Sequence, residues 1–572
     1  VKKMTGISIA SAGQLIVRGL GDRYSLTTLN GLAIASPNPD NKLVPLDLFP
    51  SSTVQNITVS KVYDVASFAD YSGAHIDIST KVNIPDDFFE ISLNTGGAFN
   101  TIGRTRYQMD RNGSLFKTSA INRNVLDMPL QEFDEYVKTH NIFPTTFQVS
   151  KKTALPALGG NISMGKNFQL GGQTLSVLAS VNLSNDYQNT NNAFYKTLEA
   201  TGNVQSDFNY DSYAQMLKMA ALGYVGYTLR ESDRIGYTFF YARNANDEYQ
   251  CRTGVDAEGH KLTGSNNVTH IYSLQNHQLN GLHYFADDRL VLDWGASYGM
   301  TNSDEPDRRQ VMYVHEDGKL DLFKLNRQET MRYFGSLSEN EWNGNIGLKW
   351  KWNDNSFIKA GVNYKDKSRD YMGTRFYYNL NRLNPEISSI YDTDGFLNQV
   401  NIANGNIVVE RKKQPKDSYM AGTGILAGYV MADIYPTKKF LINLGVRYEA
   451  SRQWVKYTSD GGDWYAKRRD LNTDDFFPTV NLKYSVNEMN VLRFSASRTV
   501  TRPSFIEMAP FTYQESYGSA QIRGNENLQN GYNYNFDLRY ELFRPNGDML
   551  SVTGYFKFLE SPIERIQELN GG

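Results

Sequence analysis

Asn533, Asn535, Asp537, Arg539 and Glu541 alternate without interruption with Tyr534, Phe536, Leu538, Tyr540 and Leu542. A period of two puts each set on its own face of an extended strand, one face polar or charged and the other greasy and aromatic. The pattern recurs from Gly160 onward. Ile442, Leu444, Val446 and Tyr448 alternate with Asn443, Gly445, Arg447 and Glu449, and the stretch Val177–Ser184 behaves the same way. A chain patterned like this must build one large antiparallel sheet with two unlike faces.

A soluble sandwich would alternate as well, but two features favour a transmembrane barrel. The strands read as about 10–16 residues, longer than the usual five or six and long enough to cross a membrane when tilted. Their connections also alternate in length. Short turns fall at Asn167–Gly172, Glu231–Asp233, Ala286–Arg289, Asn353–Asn355, Pro436–Lys439, Asn487–Met489 and Arg544–Gly547. Long segments lie between them, at Gln188–Tyr213, Gln250–Thr269, Asn302–Thr330, Gly373–Asp417, Thr458–Thr473 and Pro503–Gly531. Short turns on one side and long loops on the other is the outer-membrane pattern. Trp350 and Trp352, beside a short turn, suit an interfacial aromatic girdle. Mean hydropathy is negative despite 13% aromatic residues, as expected when lipid-facing and lumen-facing residues alternate. No apolar run reaches the roughly 18 residues of a membrane helix.

Ahead of the barrel pattern, residues 1–86 read as a small mixed domain. Short β-rich runs at Leu15–Arg18, Ser25–Leu29, Val54–Val62 and His75–Thr80 are parted by Gly, Pro, Asn and Asp turns. The first long strand is expected at Phe88–Phe99. A segment from Asn100 to about Leu158 then interrupts the sheet, with one short amphipathic helix. In it Leu130, Phe133 and Val137 share a face and Pro129 stands near the start.

The opening stretch resembles the plug domain of TonB-dependent outer-membrane transporters. The resemblance rests on Val17-Arg18-Gly19, Leu29-Asn30-Gly31, Leu46-Asp47-Leu48-Phe49-Pro50, Val54 to Val62, and Tyr71-Ser72-Gly73-Ala74-His75-Ile76-Asp77-Ile78-Ser79-Thr80-Lys81, in this order. The family usually has Gly-Gly at Gly73-Ala74, and its glycan-importing branch usually has Asp-Gly at Asn30-Gly31. The fold implied is an α+β plug (residues 1–86) inside an antiparallel transmembrane β-barrel (residues 87–572), seated in the bacterial outer membrane. Plugged transporters close at 22 strands, against about fifteen counted here. The chain is therefore expected to lack C-terminal strands, and the plug's beginning, with the box that engages TonB, to lie upstream of Val1.

The resemblance also implies where a ligand would sit. It would meet two apices of the plug, here Asp22, Arg23 and Tyr24, then Ser36, Asn38, Asp40, Asn41 and Lys42, with aromatics of the barrel wall adding apolar contact. Arg18, Gly19, Asn30, Gly31 and Asp47 belong to the plug's structural motif. Arg18 is expected to pair with carboxylates inside the plug or on the barrel wall, since a buried guanidinium needs them.

Catalysis has little support. No Gly-x-Ser-x-Gly elbow, Walker loop or Cys-x-x-Cys occurs. The seven histidines (His75, His140, His260, His270, His277, His283 and His315) show no metal-ligand spacing, and no cofactor is expected. The acidic runs Asp304-Glu305-Pro306-Asp307 and Asp474-Asp475 read as solvated loop carboxylates. Cys251, the one cysteine, reads as a loop residue. A net charge of −2 offers no case for nucleic acid. Two functions fit: import of an external ligand (siderophore, cobalamin, glycan or peptide) driven by the TonB energy-transducing complex, or a plugged barrel that scaffolds other surface proteins. The expected surroundings are outer-membrane lipid and an external ligand. A surface lipoprotein or another outer-membrane protein is a further candidate partner.

Overall fold

The computed structural model describes the chain except for residues 1–6, 10–14, 37, 39–40, 45, 47–48, 50–53, 82–83, 85, 112–114, 117–120, 122, 199–201, 203, 231–232, 257, 324–329, 381–384, 413–416, 459–463, 511, 514–521 and 567–572. Asp40 and Asp47 fall outside the described residues.

The plug is built on a four-stranded sheet. Leu26–Leu29 pairs antiparallel with Leu32–Ala33 and parallel with His75–Thr80, which pairs in turn with Val54–Ser60. Asn30 and Gly31 make the tight hairpin turn, with φ of +52° and +79°, the conformation for which Asn-Gly is suited. Val17-Arg18-Gly19-Leu20 forms a second such turn, closed by Val17 and Leu20 donating to each other's carbonyl oxygens at 2.9 Å.

Around the plug, fifteen long strands of 9 to 27 residues run in sequence order, each antiparallel to its neighbours. They begin at Phe88–Gly96 and end at Met549–Glu560, and together they curve into a barrel. No register joins those two terminal strands to each other among the described residues. Both carry exposed apolar side chains, such as Leu93 and Phe556.

The faces fall as the alternation requires. Asn533, Asn535, Asp537 and Glu541 are buried toward the plug, while Phe536 and Leu538 are exposed on the outer wall. Arg447 and Glu449 are wholly buried, with Leu444, Val446 and Tyr448 facing out. Trp350 and Trp352 are exposed beside the turn at residues 352–355. Plug and wall share an apolar core in which Leu29, Val44, Ile76 and Ile78 meet Leu178, Leu222 and Leu274. There Phe49 stacks on Phe240 at 4.8 Å.

Several expectations need correction. The strands run well past the expected length, because segments read as loops continue the ladder outward. Gln173–Leu198 pairs with Val204–Thr228, Arg234–Val255 with Lys261–Phe285, and Leu290–Glu316 extends the same wall. A strand of 27 residues spans about 90 Å at 3.3 Å per residue, several times what a membrane crossing takes. In these hairpins polar residues mix with buried apolar ones on both faces, Val311 and Tyr313 on one and Met312 and Val314 on the other, so alternation of hydropathy fades although the pairing continues. Cys251 accordingly sits in a strand, packed against an apolar cluster, rather than in a loop.

The segment 100–156 is more ordered than one helix. It holds the hairpin Thr105–Met109/Val149–Thr153 and helices Arg123–Asp127 and Leu130–Thr139. Phe133, Val137, Phe143 and Phe147 pack on Phe334, Phe376 and Tyr378 of the upper wall. The acidic run beneath it is half-buried to buried and drawn into ion pairs, not solvated. Asp307 is 3% exposed and pairs with Arg332 at 2.7 Å. Arg332 also donates to the Thr145 hydroxyl at 2.9 Å. Glu305 pairs with Arg308 at 2.7 Å and His270 at 3.2 Å. Asp474 remains exposed with Arg452, but Asp475 is buried and accepts from the Tyr532 hydroxyl at 2.9 Å.

Candidate functional site

Two plug turns stand on the long-loop side of the lumen. Asp22–Tyr24 is a single 3-10 turn after Gly21. The Asp22 carboxylate accepts from the backbone N–H of Lys42 and, at 2.8 Å, of Leu43, so the first turn holds the end of the second. Lys42 reaches back. Its ammonium donates to the carbonyl oxygens of Arg23, at 3.3 Å, and of Asp70, and it lies 3.5 Å from the Asp70 carboxylate.

These contacts set the local electrostatics. Burial pushes the Asp22 carboxyl up despite its two amide donors. Burial pushes the Lys42 ammonium down, with Lys365 and Arg502 adding to the effect and Asp70 opposing it. At Asp70, burial acts upward but the attraction of Lys42, Lys365 and Arg502 outweighs it, holding the carboxyl below its usual range.

The wall opposite is charged. Lys365, Lys367 and Arg369 are alternate residues of the strand Phe357–Leu380 and so point inward together. Glu341 stands across from Lys367 and Glu339 from Arg369 in the neighbouring strand. Lys367 bridges both carboxylates at 3.0 and 2.8 Å, and Arg369 donates to Glu339 at 2.6 Å. Arg502, just past the strand Asn490–Thr501, donates to Glu449 at 2.7 Å. The helix Phe505–Met508 follows, capped by Ser504 and Glu507. Glu507 takes both prongs of the Arg23 guanidinium, one at 2.9 Å.

Between plug and wall lies a cavity of about 510 Å³. Of the residues singled out from sequence, Asp22, Arg23, Ser36, Asn41 and Lys42 line it. Tyr24 and Asn38 do not. The Tyr24 carbonyl accepts from the amides of Ser72 and Gly73, at 2.8 and 2.6 Å, inside the plug, and the Asn38 amide donates to the Ser36 hydroxyl at 3.3 Å. The aromatic wall expected here is replaced by charge: Phe505 is the one aromatic among the described lining residues. Lys365, Lys367, Arg369 and Arg502 were missed from sequence. The basic residues at alternate strand positions were the available signal for three of them.

The plug motif holds structure. Arg18 pairs with Asp537 of the wall and donates to the Lys61 carbonyl at 3.3 Å. The Asn30 side-chain oxygen accepts from the Thr80 amide at 2.9 Å, and its NH₂ donates to Gln278 Oε1 at 3.0 Å. Gln278 is fixed in that orientation by donating to the Leu29 carbonyl at 2.9 Å. An aspartate at 30 could not donate there. Gly31, with its positive φ, offers its amide to Asp77 at 2.8 Å. Away from the cavity, Asp256, Glu258 and His260 gather at a hairpin tip. Hydrogen bonds within that turn account for their approach.

Known structures share this architecture. The siderophore receptor PiuA from Acinetobacter baumannii superposes with a TM-score of 0.52 at 10% identity, over 96% of this chain and 68% of that one. A ferric enterobactin receptor (PfeA) mutant from Pseudomonas aeruginosa gives 0.53 at 12%, over 97% and 67%. The copper transporter OprC gives 0.51 at 14%, also over 97% and 67%. No curated protein matches the chain in sequence. At such identities the likeness establishes the fold, a barrel around an N-terminal plug. The model of the outer membrane protein beta-barrel family matches residues 283–571, half of the chain, and the chain belongs to that bacterial outer-membrane family.

Proposed function

We propose that this protein imports an external ligand across the outer membrane, with residues 1–86 as the plug, residues 87–572 as the barrel and the TonB complex as the energy source. The observation that carries this reading is the shared cavity: both plug apices and the barrel wall line one space of about 510 Å³ on the long-loop side. That is the size and mixed lining of a small-ligand site. It lies where a ligand arriving from outside meets the obstruction it must displace. The neighbours fit the reading, being in their own right siderophore receptors and a copper transporter.

The long loops also favour import over scaffolding. Gln399 of the loop 381–417 donates to the Val137 carbonyl at 2.8 Å, and Arg411 donates to the Val125 carbonyl at 2.5 Å. The large loops thus spend their contacts on each other above the lumen, as lids do. No chemistry on the ligand is part of this reading.

The test is ligand uptake by cells with and without an intact TonB complex, comparing wild type with a Asn41→Ala, Lys42→Ala double variant. Uptake should need TonB and should fall in the variant while the amount of barrel in the membrane holds. Uptake that ignores TonB would refute the proposal.

A further inference from the structure

The charges around the cavity do not balance. Its described lining carries seven basic side chains against four acidic ones. Counting the groups directly behind the wall adds Arg447 on one side and Glu339 and Glu449 on the other, leaving eight against six. The surplus is local. Arg23 is matched by Glu507, and Lys367 and Arg369 by Glu339 and Glu341. Arg447 and Arg502 share the one carboxylate of Glu449, Asp22 stands beside Lys42, and Arg565 is exposed. Within that remainder three cations, Lys42, Lys365 and Arg502, surround the Asp70 carboxylate.

Two of these cations have donors to spare. Lys365 is 8% exposed and lines the cavity. Its ammonium lies over the Phe68 ring at 5.4 Å and makes no hydrogen bond or ion pair among the described residues. Arg502 is buried, and one nitrogen serves Glu449. Its Nε and Nη1 have no hydrogen-bond partner among the described residues. A buried donor left unpaired is costly, and a buried charge more so. The fold tolerates both on the wall of an open cavity, where a group arriving from outside can satisfy them.

Resting on the reading of this cavity as the importer's ligand site, we infer that the ligand is an oxyanion: it carries at least one carboxylate or phosphate group, which Lys365 and Arg502 take up beside Lys42. Guanidinium and ammonium donors with free N–H groups are the side chains that recognise carboxylate and phosphate oxygens. The apolar part of the lining, Leu26, Ile34, Ile425 and Phe505, would receive the rest of the molecule. A neutral glycan would leave the surplus charge unmet, and a cation would be repelled.

The experiment is calorimetric titration of the purified full chain in detergent with four probes: citrate for the carboxylate source, pyrophosphate for the phosphate source, maltotriose as the neutral probe and spermidine as the cation. Citrate or pyrophosphate should bind saturably, and whichever binds more tightly names the source. Lys365→Met should weaken that binding roughly tenfold, and Lys365→Arg should restore most of it. Because Lys365 makes no hydrogen bond or ion pair among the described residues and Asp70 keeps Lys42 and Arg502 beside it, the Met variant should fold as wild type does, checked by its melting point. Lys439→Met, at an exposed short turn far from the cavity, serves as the control and should bind as wild type. The inference is overturned by equal anion binding in wild type and Lys365→Met, by binding of maltotriose or spermidine alone, or by no binding at all. None of these outcomes touches TonB-dependent uptake, which is measured separately. Conversely, uptake that ignores TonB would leave a measured anion site standing.

Discussion

Arg18 of the plug and Asp537 of the barrel wall, near opposite ends of the chain, form an ion pair whose side chains are 7% and 8% exposed. The guanidinium also lies over the Tyr555 ring at 5.2 Å. The pair joins the plug to a strand completed late in the sequence, so it exists only once the wall has curved around.

Removing either partner leaves the other charged and buried. Arg18→Ala or Asp537→Ala should each loosen the plug by about 3–5 kcal/mol, read as faster proteolysis of residues 15–84 in the intact barrel. The double variant should be less damaged than the sum of the two, because no orphan charge remains. Additive effects in that cycle would show that the pair is not coupled.

Leu538 is 59% exposed on the outer wall. Leu538→Arg should cost about 2–4 kcal/mol near mid-bilayer and lower the yield of assembled barrel. Leu538→Phe should not. Normal assembly of the Arg variant would mean that this face does not meet lipid.

Asp307 holds the segment 100–156 down through Arg332, Arg309 and Thr145. Asp307→Ala should raise hydrogen exchange across Thr105–Thr153 by at least tenfold, since it orphans a buried guanidinium worth several kcal/mol. The strands near the short turns should keep their protection. Uniform loosening of the whole barrel would contradict this division.

Asn30→Asp removes the donor to Gln278 and sets a carboxylate near Asp77, which already accepts from Gly31. The plug should lose about 1–3 kcal/mol, seen as a lower melting point. Asn30→Gly should keep the turn but lose the contacts, and so fall between the two.

Asp70 supplies a pH dependence with a definite sign. Its carboxyl lies below the ordinary value in the folded plug, where cations surround it. It therefore contributes stability in full above about pH 4, the unfolded value, and loses it as pH falls further. Melting of wild type between pH 6 and pH 3 should show a drop that Asp70→Asn flattens. An unchanged acid profile in Asp70→Asn would remove Asp70 from the account.

Much of this molecule was present in the order of its residues. Period-two alternation decides which face of Asn533–Leu542 is wet, because a register slip of one would put Asp537 and Glu541 into lipid. Turn chemistry does the same at Asn30-Gly31, where the positive φ values demand such residues. Of the residues named at the two plug turns, five line the cavity. What the sequence could not determine is which distant charges meet. Lys365 and Arg502 look like any basic residues of a strand and a loop. Only the curvature of the wall brings them together around Asp70 and leaves their donors unmet. Likewise Asp304-Glu305-Pro306-Asp307 has the composition of a solvated loop, and burial under the segment 100–156 makes it an ion-pair network. Alternation is a local property of the backbone and is written residue by residue. Charge pairing across a lumen depends on the curvature of a sheet hundreds of residues long, so tertiary structure alone decides it.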